Sequence, residues 1–405
     1  MAIAQPGEGA IKNVTGFDSK VRCTIIYASD GETALAGNNE NWSNPFPIIW
    51  FQPAEDGKFG YMCFGFQDFS PKAVDWHQQE GGINEKGLFY DFASAEEVEV
   101  PRDPNKRDCW PLMTKVMEEC STVDETLTLF SEYNFRDVWK GHYLIGDRFG
   151  YSAIIEPLTF IRRNRKYQVA TNFLQSKKDP ETSTDIRYRL ASELFEKSDT
   201  ISVSLFRRIL DDTHAEEYNG SWGAPLYSYI SDLKSGDVYI YNFHNYDSEV
   251  KLNIHEELKK GPHAYLISDL FPYETYAAQH FKATRVTAML FEKALQNGVT
   301  GEEGAIAFYK RINSPDNKLS RYSLDEEYFN AAGYALLRYN KVNEAIEFFD
   351  FIVEEFPQSV NAYDSRGEAY MKAGNNELAL ESYRKSLEFN PDNENAKKML
   401  EQLQD

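Results

Sequence analysis

Cys23 opens an apolar run, Val21-Arg22-Cys23-Thr24-Ile25-Ile26-Tyr27, and the run that follows ends in short polar side chains, Gly37-Asn38-Asn39-Glu40-Asn41-Trp42. Asp30-Gly31 between them is a reversing turn, so the pattern predicts a hairpin that brings a thiol and several amide donors together. The thiolate is the nucleophilic form of cysteine, and acyl chemistry at Cys23 therefore needs a base or a lowered pKa. None of the 7 histidines neighbours Cys23 in sequence, which leaves a spatially paired histidine or a different base. Cleavage between Arg22 and Cys23 would free an α-amine with a pKa of about 8 on the same residue as the thiol. In that arrangement the amine takes the thiol proton. The rival fate of a strand cysteine is an inert core side chain.

Further motifs follow in order: Gly82-Ile83-Asn84-Glu85-Lys86-Gly87-Leu88, then Thr171-Asn172-Phe173, then Arg187-Tyr188. Together with Cys23-Thr24 and the Gly37 to Trp42 run, this series resembles the choloylglycine hydrolase family of N-terminal nucleophile hydrolases, over Cys23 to about residue 270. The resemblance implies a four-layer αββα sandwich. It also implies hydrolysis of a linear carbon–nitrogen amide bond of an N-acyl small molecule, an acyl-amino acid, penicillin V or a bile-salt-like conjugate, through a thioester. No metal and no organic cofactor is implied.

The same resemblance assigns roles by position. Cys23 is the nucleophile, Asn172 offers a side-chain N–H to the oxyanion, and Arg187 orients the thiol or a substrate carboxylate. The family carries an arginine and an aspartate where this chain has Asn38 and Asn41. Asn41 would hold the amino-terminal nitrogen; as an amide it accepts a hydrogen bond but brings no charge. Asn38 falls to substrate binding, as does Ser94, where a backbone N–H at Ala93 or Ser94 would be the second oxyanion donor. From the residues alone, Asn172 is equally a turn residue at a strand end and Arg187 a partner in a helix-surface ion pair. Asn39 alternates to the other strand face, and Asn84 in its Gly-rich loop reads as a turn residue.

The elements that must position these groups are strands first. After the opening hairpin come strands at 48–52, 59–66 and 88–92, with aromatic residues concentrated around them. Residues 109–133 carry a helical period broken at Ser121-Thr122-Val123-Asp124-Glu125, an N-cap signal, which predicts a helical pair. Strands return at 143–145, 152–156 and 167–171, helices at 185–196 and 202–211, and a hairpin at 227–233 and 238–243 about Lys234-Ser235-Gly236-Asp237. This order fits an α+β domain.

From about Tyr273 the pattern is continuous helix, and within it Phe329, Gly333, Ala345, Phe349 and Pro357 recur as Tyr363, Gly367, Ala379, Tyr383 and Pro391. That spacing of about 34 residues is the tetratricopeptide period. The domain reading is a leader or propeptide at 1–22, a hydrolase-like domain at 23–272, a helical connector at 273–324, and repeats with a capping helix at 325–405. Helices in the connector should pack under the first repeat, since so few repeats are marginal alone. The array offers a groove for a protein partner, or a brace or self-association surface.

Composition narrows the partners. With 43 basic and 64 acidic side chains the formal charge is −21, a surface that repels phosphate backbones and anionic lipid, so neither nucleic acid nor membrane is expected. The 4 cysteines form no disulfide framework and no zinc spacing, and those other than Cys23 read as core residues. Ala2-Ile3-Ala4 resembles the end of a trimmed export signal, which would make the protein periplasmic or secreted; a native start would leave it cytoplasmic. Two functions remain in view: a cysteine amidohydrolase, and a catalytically weakened hydrolase-like scaffold whose repeats bind a protein.

Overall fold

The computed structural model describes residues 23–69, 77–108, 112–134, 138–214, 224–314, 319 and 322–404. The proposed 1–22 leader and Cys109 lie outside them. The described residues form two compact units: one takes in 23–67 and 77–275, the other residues 68, 69 and 276 onward.

The first unit is built on the predicted opening hairpin, Thr24–Ser29 and Ala34–Trp42. Its turn is fixed locally. Asp30 Oδ1 accepts from the Glu32 and Thr33 N–H groups at 3.0 and 2.7 Å, and Gly31 takes φ +93°, a left-handed conformation that glycine adopts without a Cβ clash. Neighbouring antiparallel strands extend the hairpin into a six-stranded sheet, ordered Tyr167–Ala170, Thr24–Ser29, Ala34–Trp42, Ala224–Asp232, Asp237–Asn242, Val250–Asn253. Eight more strands form the second sheet, ordered Thr159–Arg162, Ser152–Glu156, Val138–Asp147, Leu88–Glu99, His77–Asn84, Tyr61–Gln67, Pro47–Gln52, His263–Leu266.

Aromatic side chains fill the space between the sheets. Phe64 stacks on Tyr229 and Tyr227 of the opposite sheet, with ring centroids 3.9 and 5.5 Å apart. Tyr27 lies against Gly146, where a Cβ would strike its ring, and donates its hydroxyl to the Asp147 carbonyl at 2.8 Å. Helices cover both outer faces. Ala191 and Phe195 of Ile186–Lys197, with Phe206, Ile209 and Leu210 of Val203–Thr213, pack on Ile26, Leu35 and Ile230 of the first sheet. Leu112 and Val116 of Leu112–Glu119, with Val123, Leu127 and Phe130 of Val123–Glu132, pack on Tyr90, Ile145 and Ile155 of the second. The result is the αββα order expected. The predicted cap is present as a capping box, Thr122 accepting from the Glu125 N–H while the Glu125 carboxylate takes the Thr122 N–H.

The structure adds strands that patterning missed: Thr159–Arg162, Val250–Asn253 and His263–Leu266. Each has four residues, too short to display alternation, and Thr159–Arg162 is a largely exposed edge strand. Cys63 and Cys120 are buried and free, as core thiols should be. No described helix is long and apolar enough to cross a membrane.

The second unit starts with the helices Tyr276–Asn297 and Ala305–Ile312, interrupted by Gly298 and Gly301 at φ +80° and +93°, so the helix is not continuous from Tyr273. Two helical hairpins follow, Glu326–Arg338 with Val342–Glu355 and Val360–Lys372 with Asn376–Phe389, and the helix Glu394–Gln404 closes the array over Ala379 and Tyr383. The connector does pack beneath the first hairpin: the Tyr309 and Phe329 rings meet edge to face at 4.8 Å. In each repeat a glycine admits a ring. A Cβ on Gly333 would stand 2.7 Å from the Phe349 ring, and one on Gly367 2.8 Å from the Tyr383 ring.

Gly367→Ala should therefore destabilise the repeats by about 1–3 kcal/mol, the usual cost of overpacking, despite the higher helix propensity of alanine. Urea denaturation followed by far-ultraviolet circular dichroism measures it; an unchanged or raised midpoint would refute the packing argument.

Candidate active site

Cys23 stands directly before the strand Thr24–Ser29, and strand register decides what faces it. Thr24 pairs with Asn39 and Ile25 with Asn38, and strand alternation then places Asn38 and Glu40 on one face and Asn39 on the other. The outward Asn39 serves the helix layer. Its Nδ2 donates to the Leu210 carbonyl at 2.8 Å, and its Oδ1 accepts from Ser228 and Tyr246.

The inward face is acidic. The Cys23 Sγ–H donates to Glu40 Oε1 at 3.6 Å, and the Asn41 backbone N–H donates to the sulfur. Asn38 Nδ2 bridges two carboxylates, Glu40 Oε2 at 3.0 Å and Asp91 Oδ1 at 2.9 Å. Asp91 also accepts from the Phe92 N–H at 2.7 Å and from the Tyr229 hydroxyl. Gly81, paired with Asp91 across the sheet, leaves that carboxylate its room, since a Cβ there would collide with it. Cys23, Asn38, Glu40, Asn41 and Asp91 are all at most 2% exposed.

Burial, and then the Glu40 carboxylate, push the Cys23 thiol well above its ordinary pKa, against the single opposing hydrogen bond from Asn41. Glu40 is raised by its own burial and by the neighbouring Glu80 and Asp91, and Asp91 is raised by burial against the bonds from Tyr229 and Phe92. Burial and the acidic neighbours thus favour the protonated sulfur, and among the described residues no histidine bonds Cys23.

Arginine and amide groups fix the other side of Cys23. Arg187 Nη1 donates to the Cys23 carbonyl at 2.6 Å and to Asn172 Oδ1 at 3.1 Å, and its Nη2 donates to Asp185 at 2.8 Å. Asp185 is itself the N-cap of the helix that carries Arg187. Asn172 Nδ2 donates to the Ser94 carbonyl at 2.7 Å. Glu156 anchors the chain beyond Asn172 by accepting from the Gln175 and Ser176 N–H groups at 2.6 and 3.0 Å, with His142 Nδ1 3.5 Å away. Burial works against the Glu156 charge, but the adjacent His142 ring and the bonds from Ser176 and Gln175 hold its carboxyl below the usual range.

Several expectations change in detail. Arg187 is a buried clamp on the Cys23 backbone, and its fork also pairs with Asp185 and Asn172. Asn172 directs one N–H at Ser94. Ser94 meets Asn172 through its carbonyl oxygen, just before the sheet register shifts between Ser94 and Val98. Asn38 lies between carboxylates with Oδ1 unpartnered, and Asn41 Oδ1 is likewise a buried acceptor without a donor. Asn84 is a turn residue, as expected: it donates to the Met117 and Cys120 carbonyls and accepts from the Lys86 and Leu88 N–H groups.

Glu40 and Asp91 escaped the sequence reading, although signals for both existed. Glu40 shares the face of Asn38 by strand alternation. Asp91 is a lone acid inside the apolar run Leu88-Phe89-Tyr90-Asp91-Phe92. Among the described residues no cluster of His, Cys, Asp and Glu is arranged to hold a metal ion.

A raised thiol pKa has a kinetic consequence, because each unit removes tenfold of the thiolate. At pH 8 iodoacetamide should alkylate Cys23 at least about tenfold more slowly than free cysteine, and Glu40→Gln should accelerate it by removing a like charge. Peptide mass spectrometry resolves Cys23 from the other cysteines. Faster labelling of Cys23 than of free cysteine would contradict the electrostatics described.

A family profile described as tetratricopeptide repeat matches residues 360–393. A search of curated proteins gave no match. Among solved structures, a conjugated bile acid hydrolase from Clostridium perfringens is similar in two point variants. One has a TM-score of 0.49 at 15% identity, covering 60% of this chain and 95% of that one. The other has a TM-score of 0.46, also at 15% identity, covering 62% and 97%. The first tetratricopeptide domain of the human RPAP3 protein matches with a TM-score of 0.22 at 21% identity, over 30% of this chain and 89% of that domain.

Proposed function

We propose that the first unit is a cysteine amidohydrolase acting on a linear carbon–nitrogen amide of a small N-acyl molecule. The observation that carries the reading is the handling of Cys23. Its sulfur is buried beside a proton-accepting carboxylate, and its carbonyl is gripped by Arg187, which is in turn tied to Asn172 and Asp185. A merely structural core thiol calls for no such framework.

In the proposed reaction the Cys23 sulfur attacks the amide carbonyl, forming a carbon–sulfur bond and an oxyanion. An amine freed at Cys23 by cleavage after Arg22 takes the thiol proton and returns it to the leaving nitrogen as the carbon–nitrogen bond breaks. Water then hydrolyses the thioester. Asn172, held by Arg187 and Ser94, would offer its second N–H to the oxyanion, with a backbone N–H at Ala93 or Ser94 as the second donor. Arg187 acts as a positioning residue in this scheme.

A second reading has its own support. Asn38 and Asn41 stand where the family resemblance implies a charged pair, and the thiol is held protonated, which suits a weakened hydrolase-like scaffold serving the repeats as a protein-binding surface.

Cys23→Ala should abolish hydrolysis of N-acyl amides and labelling by an acylating probe while leaving the melting temperature within about 2 °C of wild type, since a methyl fills most of the thiol's place. Retained turnover would remove Cys23 from the mechanism. Asn41→Asp run alongside separates the two readings, because it should raise hydrolysis only where a lost charge is what limits the site.

A further inference from the structure

We infer that the acidic face beside Cys23 is an ammonium site, and that the amides processed there carry a primary amine on the carbon next to the scissile carbonyl. The second clause rests on the amidohydrolase reading; the first does not.

Among the described residues, every donor to the two central carboxylates is neutral. Glu40 is met by the Cys23 thiol and the Asn38 amide, and Asp91 by Asn38, the Phe92 N–H and the Tyr229 hydroxyl. Two buried carboxylates without a cation are costly, and removing water from them is repaid only by a well-placed positive charge or a proton. Their raised pKa values agree with that deficit.

An independent observation indicates what is missing. Asn38 is fully buried, and the same amide whose nitrogen spans Glu40 and Asp91 has an oxygen with no donor. Acceptors thus exceed donors around the sulfur. An anion would be repelled, and the Asn38 N–H groups directed at both carboxylates oppose a metal ion between them. A primary ammonium supplies three donors and no acceptor, which is the complement required.

Position converts the ligand into a substrate class. Glu40 Oε1 lies 3.6 Å from Sγ. Once sulfur bonds the carbonyl carbon, an amine on the adjacent carbon falls roughly 3 Å from sulfur, from covalent bond lengths near 1.5 Å. That brings it within hydrogen-bonding reach of Glu40. The formal charge of −21 favours approach of such cations. The α-ammonium of Cys23 itself, if freed, is the other source of the same chemistry.

The test is thermal melting of the full chain with alaninamide, with N-acetylalaninamide as the uncharged control, in wild type and Glu40→Gln, the mass of each sample being recorded. We expect alaninamide to raise the wild-type melting temperature in a saturable way, the capped amide to leave it unchanged, and Glu40→Gln to lose the shift. The shift should grow from pH 5 to pH 7.5 as the carboxylates ionise; Cys23, Glu40, Glu80, Asp91, Tyr227 and Tyr229 all share that environment. A sample that begins at Cys23, shows no alaninamide shift and melts lower as Glu40→Gln would support the site with the protein's own amine as occupant. Equal shifts with both amides, or no shift together with unchanged melting of Glu40→Gln, would overturn it. Asp91→Asn provides the same comparison should Glu40→Gln fail to fold. Alaninamide binding without release of nitroaniline from alanine p-nitroanilide would keep the ammonium site and overturn the α-amino substrate class, while the hydrolase reading itself falls only if other N-acyl amides are not hydrolysed either.

Discussion

The pairing register of the first two strands is the constraint on which the site depends. With Thr24 opposite Asn39, the side chains of Asn38 and Glu40 turn toward the second sheet and Asn39 toward the helices. A slip of one residue would exchange those faces, because side chains alternate with a period of two. It would place Asn39 against Asp91 and bury Glu40 under Leu210. Three features oppose the slip: the Asp30-Gly31 turn, the close approach of Gly37 to the Tyr229 carbonyl, where a Cβ would come within 2.8 Å, and the engagement of Asn39 by Ser228 and Tyr246. Asn39 therefore contributes to the site from the opposite face, by fixing the register.

Much of this organisation was legible in the sequence because it is local or periodic. The Asp-Gly turn, the capping box at Thr122 and the spacing of Gly333 and Gly367 each express one physical rule within a few residues or one repeat. Three four-residue strands, 159–162, 250–253 and 263–266, left no trace, since their pairing is decided by the sheet they join, whereas the equally short Tyr167–Ala170 was legible as an apolar run. Site residues divide in the same way. Cys23, Asn172 and Arg187 stand in separate motifs, and the fold joins them through two hydrogen bonds from a single guanidinium.

What the sequence did not disclose is the acidic face, and the reason is physical. Glu40 looked like one more polar residue at the end of a strand, a position that is usually exposed, and only the second sheet packed against it makes it a buried carboxylate. Asp91 comes from that sheet, so the encounter is a tertiary event with no local signature. Asn38 makes it tolerable by donating to both carboxylates at once; an arginine there would have neutralised them, and an aliphatic residue would have left both without that donor.

The arrangement also shows why a buried thiol next to acid differs from the usual activated cysteine. A histidine or helix N-terminus lowers a thiol's pKa by stabilising the thiolate, whereas Glu40 acts in the opposite sense and holds the proton on sulfur. Such a site disfavours the thiolate while its negative charge is uncompensated. A single positive charge arriving beside Glu40 reverses the balance: it favours ionised Glu40, lowers the cost of a neighbouring thiolate and offers a donor to the vacant Asn38 oxygen. On the proposed reading, reactivity at Cys23 is thereby coupled to the presence of a cation, and the feature that disfavours the thiolate at rest becomes a means of discriminating substrates.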